Sequence, residues 1–283
     1  MSAPRFTESE LEQIFEQAER VGRLPKVVVP VHLAGQSCDM EAIAALARRY
    51  GFRLVEDASH AVGAHYKEET VGNCRHSDIC VFSFHPVKII TTGEGGMALT
   101  NSGSLAEKMR LLRSHGVTRE PEQMEREPEG GWYYEQVTLG FNYRLTDMQA
   151  ALGTSQMQRL DAFVQRRRAL AARYDAALSG EPLVLPWQDP TTRSSYHLYI
   201  VRTGPKSNHG NVYDRLRDKG VGVNLHYMPV YLQPFYRRLG FAPGHCPEAE
   251  AYYKQAISLP LYADLDDEDQ DWVVRAVSEV LAS

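Results

Sequence analysis

One lysine stands at the mouth of a strand-like run. Residues 79–84, ICVFSF, read as a buried strand; Lys88, Thr91, Thr92 and the loop Gly93-Glu94-Gly95-Gly96 follow. A second run, FRLVED over 52–57, ends on Asp57, with His60 three residues further on. In an open α/β sheet, ligands bind outside the carboxyl ends of the strands, so Asp57 and Lys88 can face one crevice. Pyridoxal phosphate is a ligand that needs both charges. Its aldehyde condenses with a lysine amine, and its protonated ring nitrogen needs a carboxylate partner. Its phosphate needs hydroxyl and backbone donors, and Ser83 can supply one. The glycines at 93, 95 and 96 would let the backbone pass close to such a cofactor. Spacing alone leaves a plainer alternative open, in which Asp57 caps the short helix ASHA and Lys88 is a solvated surface lysine.

Other site chemistries find less support. The sequence has no G-x-x-x-x-G-K-[ST], no G-x-G-x-x-G after a strand and no G-x-S-x-G elbow. Cys74, His76 and Cys80 lie close together, but their spacing fits no zinc pattern, and no metal is expected. The four cysteines are irregularly spaced and give no disulfide framework.

The elements that must position these residues follow from periodicity. Thr7 and Glu10 have capping-box spacing ahead of a helix over 8–22. VVVPVHL (27–33) reads as an apolar strand, and DMEAIAALARRYG (39–51) as a helix with Asp39 at its N-cap and Gly51 past its end. GMALT (96–100) is a further strand and SLAEKMRLLRSHG (104–116) a helix. Strands buried on both faces and joined by helices predict a largely parallel α/β sheet. Residues 119–136 form an acidic, Gly/Pro-marked loop, and 146–178 read as almost wholly helical. After Gly180 come a strand (194–203), a helix (212–220), a strand VGVNLHYMP (221–229) and a last helix over 266–281. The reading divides the chain into an α/β domain (1–150), a linking helix (151–179) and a small α+β domain (180–283).

Composition sets outer limits. The chain has 283 residues, 43% hydrophobic and 24% charged, with a formal net charge of −5. Its longest basic block is Arg166-Arg167-Arg168, which argues against a nucleic-acid platform. No apolar run approaches the ~18 residues of a membrane span. The N-terminus lacks the apolar core of a signal peptide, which points to the cytoplasm.

Four blocks in order, VEDASHAVGA, VFSFHPVKIITTGEGGMALTN, LGFNYRLTDMQAALG and NLHYMPVYLQPFY, resemble the DegT-type sugar aminotransferases. These are pyridoxal-phosphate enzymes acting on nucleotide-linked keto-sugars. Within the family the chain is most similar to the pseudaminic-acid branch, which aminates C4 of a UDP-linked 4-keto-6-deoxy-N-acetyl hexose. The resemblance implies a fold-type-I (aspartate aminotransferase-like) α/β transferase with a small α+β C-terminal domain. It implies that Lys88 binds the cofactor aldehyde and shuttles the proton, that Asp57 pairs with the ring nitrogen and that His60 lies against the ring near its phenolic oxygen. Ser83 matches the phosphate-binding serine. Asn142 matches a residue that reaches a phosphate in the neighbouring subunit, implying a homodimer with shared sites. Arg144 either assists there or is structural. His226 and Tyr227 match a region near the sugar nucleotide, and Pro229, Gln233 and Tyr236 support the branch. Glutamate is the amino donor that the family implies.

The family also carries an N-terminal segment, with a phosphate-binding helix start and a ring-stacking aromatic, that finds no counterpart here. The large domain is therefore expected to be incomplete at its N-terminus. Two other readings stay open: a non-catalytic remnant or half of a split enzyme, and a related sugar dehydratase. In such dehydratases a histidine replaces the lysine, so Lys88 counts against that reading.

Overall fold

The computed structural model describes residues 8–205 and 207–282. Thr7, half of the expected capping box, lies outside them; the first helix, α1, is Glu8–Arg20. Strand β1 is only Val27–Val28, because Pro30 has no N–H to give to a ladder. The chain touches the sheet once more where Val31 bridges Asp57. Helix α2, Met40–Tyr50, begins where the Asp39 carboxylate accepts from Ala42 N at 3.3 Å and ends at Gly51, φ +76°. Both of its expected caps are present.

β2 (Arg53–Asp57) lies parallel to β1 and to β5 (Ile79–Ser83); the short hairpin β3 (His65–Tyr66) and β4 (Glu69–Thr70) intervenes in sequence. β6 (Gly96–Leu99) closes the order β1-β2-β5-β6 and runs antiparallel to β5. Its direction follows from the connection: residues 84–95 fold back without a crossover helix, so Ser83 pairs with Gly96. Helix α3 is Gly103–Leu112, four residues shorter at its end than the apolar pattern predicts. The chain leaves the helix there because Ser114 bridges Asn142. The loop over 119–136 is bracketed by the two-residue strands β7 (Val117–Thr118) and β8 (Glu135–Gln136).

The helical stretch over 146–178 breaks at Gln158-Arg159. Helix α4 (Asp147–Met157) starts on a Thr146–Gln149 capping box, and α5 (Leu160–Leu178) follows. The rest of the chain holds β9 (Leu183–Val184), β10 (Thr192–Arg193), β11 (Tyr199–Thr203), α6 (His209–Asp218), α7 (Pro234–Arg238), α8 (Pro247–Tyr253), β12 (Ala256–Leu259) and α9 (Asp267–Leu281). One expected strand is absent: VGVNLHYMP forms only a single bridge, Asn224 to Ser258. The Asn224 side chain accepts from Leu225 N at 2.8 Å, so the chain bends out of the ladder there.

Apolar packing gathers into two main cores. Phe15, Ile43, Leu46, Phe52 and Leu54 join α1 and α2 to β2, with the Phe15 and Phe52 rings stacked at 4.8 Å. Leu170, Tyr174, Tyr199, Ile257 and Val277 join α5, β11, β12 and α9. Arg167 is buried among them with no carboxylate partner among the described residues. Its Nη1 donates to the carbonyls of Tyr196 (3.2 Å), His197 (3.3 Å) and Leu261 (2.8 Å).

A three-way knot ties the two halves together. Ser195 N donates to Gly35 O at 3.1 Å, and Ser195 Oγ donates to His60 O at 3.0 Å. Gly35 has φ +102°, and a Cβ on it would sit 2.6 Å from Ser195 Oγ. Nearby, Thr192 and Arg193 of β10 pair with Tyr66 and His65 of β3.

Leu170 is fully buried in the second core. Leu170→Ala should destabilise the protein by about 2–5 kcal/mol through lost transfer energy and a residual cavity. Urea unfolding checks this; a loss below about 1 kcal/mol would show that the core around α5 is loosely packed.

Candidate active site

Asp57 ends β2 with its main chain fixed on both sides. Its N–H donates to Pro30 O at 2.9 Å, and its carbonyl accepts from His32 N at 3.0 Å. Its Oδ1 accepts from Ser59 N at 3.0 Å, which commits one carboxylate oxygen to the turn carrying His60. The plainer expectation, Asp57 as a cap of a short helix ASHA, is met only in part, since residues 58–61 form a turn; among the described residues Oδ2 makes no such bond. Beneath Asp57, on the opposite face of β2, Glu56 is buried. His32 Nε2 lies 2.8 Å from Glu56 Oε2, Ser77 Oγ donates to Oε1, and Cys38 N donates to His32 Nδ1 at 3.2 Å.

Lys88 follows β5 on a turn in which its N–H donates to His85 O at 2.9 Å. The buried side chains of Ile89 and Ile90 anchor the turn. Burial pulls the Lys88 ammonium below the ordinary lysine pKa, and the charge of Asp57 opposes that pull. Ser83 is half-buried at the end of β5, its Oγ accepting weakly from His85 N at 3.4 Å. Two of the glycines after Lys88 are also required by the loop itself. A Cβ on Gly95 would lie 2.3 Å from Thr92 Oγ1, and one on Gly96 would lie 2.8 Å from Phe82 O. They permit the loop to fold on itself.

His60 is buried 7% exposed, its Nδ1 accepting from Ala34 N at 3.3 Å. Its Nε2 lies 3.2 Å from the hydroxyl of Tyr227, which arrives from the other half of the chain. His197, which the sequence hid inside a strand-like run, packs its ring 4.4 Å from that of His60. Its Nδ1 is buried without a hydrogen-bond partner among the described residues. Burial, and then the charge of Lys88, pulls His60 down to about 4. Burial pulls His197 down to about 2, with His60 and Lys88 adding to the effect. His226 Nδ1 lies 2.7 Å from Ser258 Oγ, and its pKa too falls through burial and then Lys88.

The structure thus brings Asp57, His60, Ser83 and Lys88 to one edge of the sheet and sets Tyr227 and His226 against them. Asn142 and Arg144 do not join this group; both are exposed on the strip beyond β8. Among the described residues there is no cluster that would hold a metal ion. Cys74 Sγ instead donates to Leu99 O at 3.3 Å, and His76 packs edge-on against Tyr66. An amine held partly out of water, a carboxylate with an uncommitted oxygen and a strand-end hydroxyl form a donor set that fits an aldehyde-bearing, phosphorylated pyridine.

Comparison with known proteins agrees with that chemistry. The profile of the DegT/DnrJ/EryC1/StrS aminotransferase family matches residues 7–278. The chain is 38% identical over 262 residues to the spore coat polysaccharide biosynthesis protein SpsC of Bacillus subtilis, covering 90% of this chain and 67% of that protein. It is 34% identical over 273 residues to the UDP-4-amino-4,6-dideoxy-N-acetyl-beta-L-altrosamine transaminase of Campylobacter jejuni, covering 95% of this chain and 68% of that protein. The solved structure of Helicobacter pylori PseC, an aminotransferase involved in pseudoaminic acid biosynthesis, superposes with a TM-score of 0.87 at 30% identity. That match covers 100% of this chain and 73% of the other.

The electrostatics of Lys88 can be read directly. Burial disfavours its ammonium form, so half-modification by an amine-selective reagent should occur below the ordinary lysine pKa of about 10.4. Asp57 favours the ammonium, so Asp57→Asn should move that midpoint lower still. Peptide-resolved mass spectrometry across pH measures both. A midpoint at the ordinary value, or an upward move in the variant, would show that the two groups do not face each other.

Proposed function

Since the chain belongs to the DegT/DnrJ/EryC1/StrS aminotransferase family, we propose that it carries an amino group from glutamate to C4 of a UDP-linked 4-keto-6-deoxy-N-acetyl hexose. The class is a sugar aminotransferase, and its cofactor is pyridoxal phosphate. The observation that carries the reading is the position of Lys88: a partly desolvated amine under the charge of Asp57, walled by two histidines that burial keeps neutral. The sugar is inferred from similarity to the Campylobacter jejuni transaminase.

When bound, pyridoxal phosphate supplies the aldehyde and the electron-withdrawing ring that let an amino group leave one carbon and join another. The residues of the chain do the rest. Lys88 would hold the aldehyde carbon and, when free, would carry the proton on its Nζ; burial lowers the pKa of that nitrogen and so favours its role as a base. Asp57 would pair with the ring nitrogen, and the Ser59 N–H on Oδ1 keeps the carboxylate from turning away. Ser83 is a donor for the phosphate. His60 gives a neutral, buried wall that lets the ring pack without a competing positive charge. His226 and Tyr227 would border the sugar nucleotide, and Arg144, exposed beside Asn142, would reach it from a second copy.

The same reading makes the protein a cytoplasmic homodimer. Asn142 is exposed, as a residue serving a second copy's site must be. Among the described residues no helix is long and apolar enough to cross a membrane.

Borohydride reduction in the presence of pyridoxal phosphate should leave the cofactor's mass on the peptide containing Lys88. A label on another lysine, with Lys88 free, would overturn the assignment. With glutamate and the keto-sugar, the product should carry its new amine at C4 by NMR; an amine at C3 would change the substrate. Subunit sharing has its own test. Mixing Lys88→Ala with Asn142→Ala chains under conditions that exchange subunits should restore about a quarter of wild-type activity, since half the pairs are mixed and each holds one intact site. Exchange without recovery would show that Asn142 acts within its own chain.

A further inference from the structure

The sequence placed His60 at the cofactor and Tyr227 at the sugar as unrelated residues, yet the two touch. A backbone amide can only donate, so the 3.3 Å contact from Ala34 N fixes the lone pair of His60 on Nδ1. A neutral imidazole then carries its hydrogen on Nε2. Nε2 lies 3.2 Å from the Tyr227 hydroxyl and must donate to it. The phenolic hydrogen is thereby turned away from His60. That hydrogen is free to be donated to a ligand.

We propose that Tyr227 is a hydrogen-bond donor into the Lys88 pocket, its hydrogen aimed by the Ala34 amide through the ring of His60, and that it donates to an oxygen lone pair of the incoming keto-sugar. The proposal rests on the sugar aminotransferase reading above.

The aim is not adjustable. Ala34 sits at φ +61°, its carbonyl accepts from Leu198 N at 3.4 Å, and the next residue is Gly35, locked against Ser195. Burial and the charge of Lys88 keep His60 neutral, which preserves the single hydrogen on its ring. Burial, and then Asp57, raises the Tyr227 phenol, so it stays protonated. Tyr227 is 49% exposed, so its ring remains open to a ligand. A donor of this kind pairs with a carbonyl, hydroxyl or ether oxygen of the sugar.

Two measurements test the proposal. In the full chain labelled with 15N-histidine at pH 7, the His60 resonances, identified by their loss in His60→Gln, should show the neutral Nε2–H tautomer. An Nδ1–H tautomer or an imidazolium would overturn the relay. In Tyr227→Phe, His60 should keep the Nε2–H form, because Ala34 still sets it, which also shows that the variant is folded. The KM for the keto-sugar should rise about five- to tenfold, the loss of one neutral hydrogen bond, and by more than the KM for the amino donor. An unmoved sugar KM would overturn the donor role. A chain with the Nε2–H tautomer that aminates no keto-sugar would fail the functional reading and leave the relay standing.

Discussion

The close approach of Gly35 to Ser195 and His60 is the constraint on which the site depends. Three segments far apart in sequence meet there: the loop after β1, the turn after β2, and the stretch before β11. A side chain at Gly35 would press on Ser195 Oγ and on backbone at Tyr196 and His60, where little can yield. Because that space is empty, Ser195 can bond both Gly35 and His60, His197 is carried against the His60 ring, and Ala34 presents its amide to the same ring. One missing methyl group thus sets three groups of the pocket wall. The knot lies at the carboxyl end of β2, where Asp57 is pinned to Pro30 and His32, so the carboxylate and the wall share one foundation.

How much of this the sequence showed depends on the range of the interaction involved. α2 was legible to its caps, because Asp39, Gly51 and the apolar spacing between them are local signals. β2 and β5 were legible as buried runs, and with them the placing of Asp57 and Lys88. VVVPVHL misled because hydrophobicity says nothing about a missing N–H: Pro30 cuts the ladder, and Val27, Val29 and Val31 remain about half exposed. VGVNLHYMP misled for a related reason. Val221 and Val223 are buried at strand-like spacing, but Asn224 spends its side chain on the next amide and turns the chain away. His197 was invisible because a histidine in an alternating run looks like any strand residue. Its meaning comes from a partner 137 positions earlier, and no local pattern records that. The glycines after Lys88 were noticed for good reason, and at Gly95 and Gly96 close approach within the loop already requires them.

The polar groups of the pocket divide by depth. His60 and His197 are dehydrated enough that a proton on either is costly, and the nearby lysine raises that cost. Lys88 is shielded less, and it has Asp57 to offset the loss of water. The consequence is a ranking in which the lysine can hold or release a proton while the aromatic wall stays neutral. The Glu56–His32–Ser77 group under β2 meets its needs internally, so it firms the strand without competing for Asp57.

Arg167 gives the pocket a property of a different kind. It is a cation enclosed by protein, answered by three carbonyl dipoles in place of a counter-ion, and burial lowers its pKa only to about 10. Across the pH range of a living cell it does not discharge, while His60 and His197 do not charge. The wall behind the lysine therefore acts as a medium of constant potential. An anionic guest would meet the same background from this wall in mildly acidic and mildly alkaline surroundings, so any drift in its grip with acidity traces to the guest's own ionisation or to the groups in front of the wall, Lys88 among them.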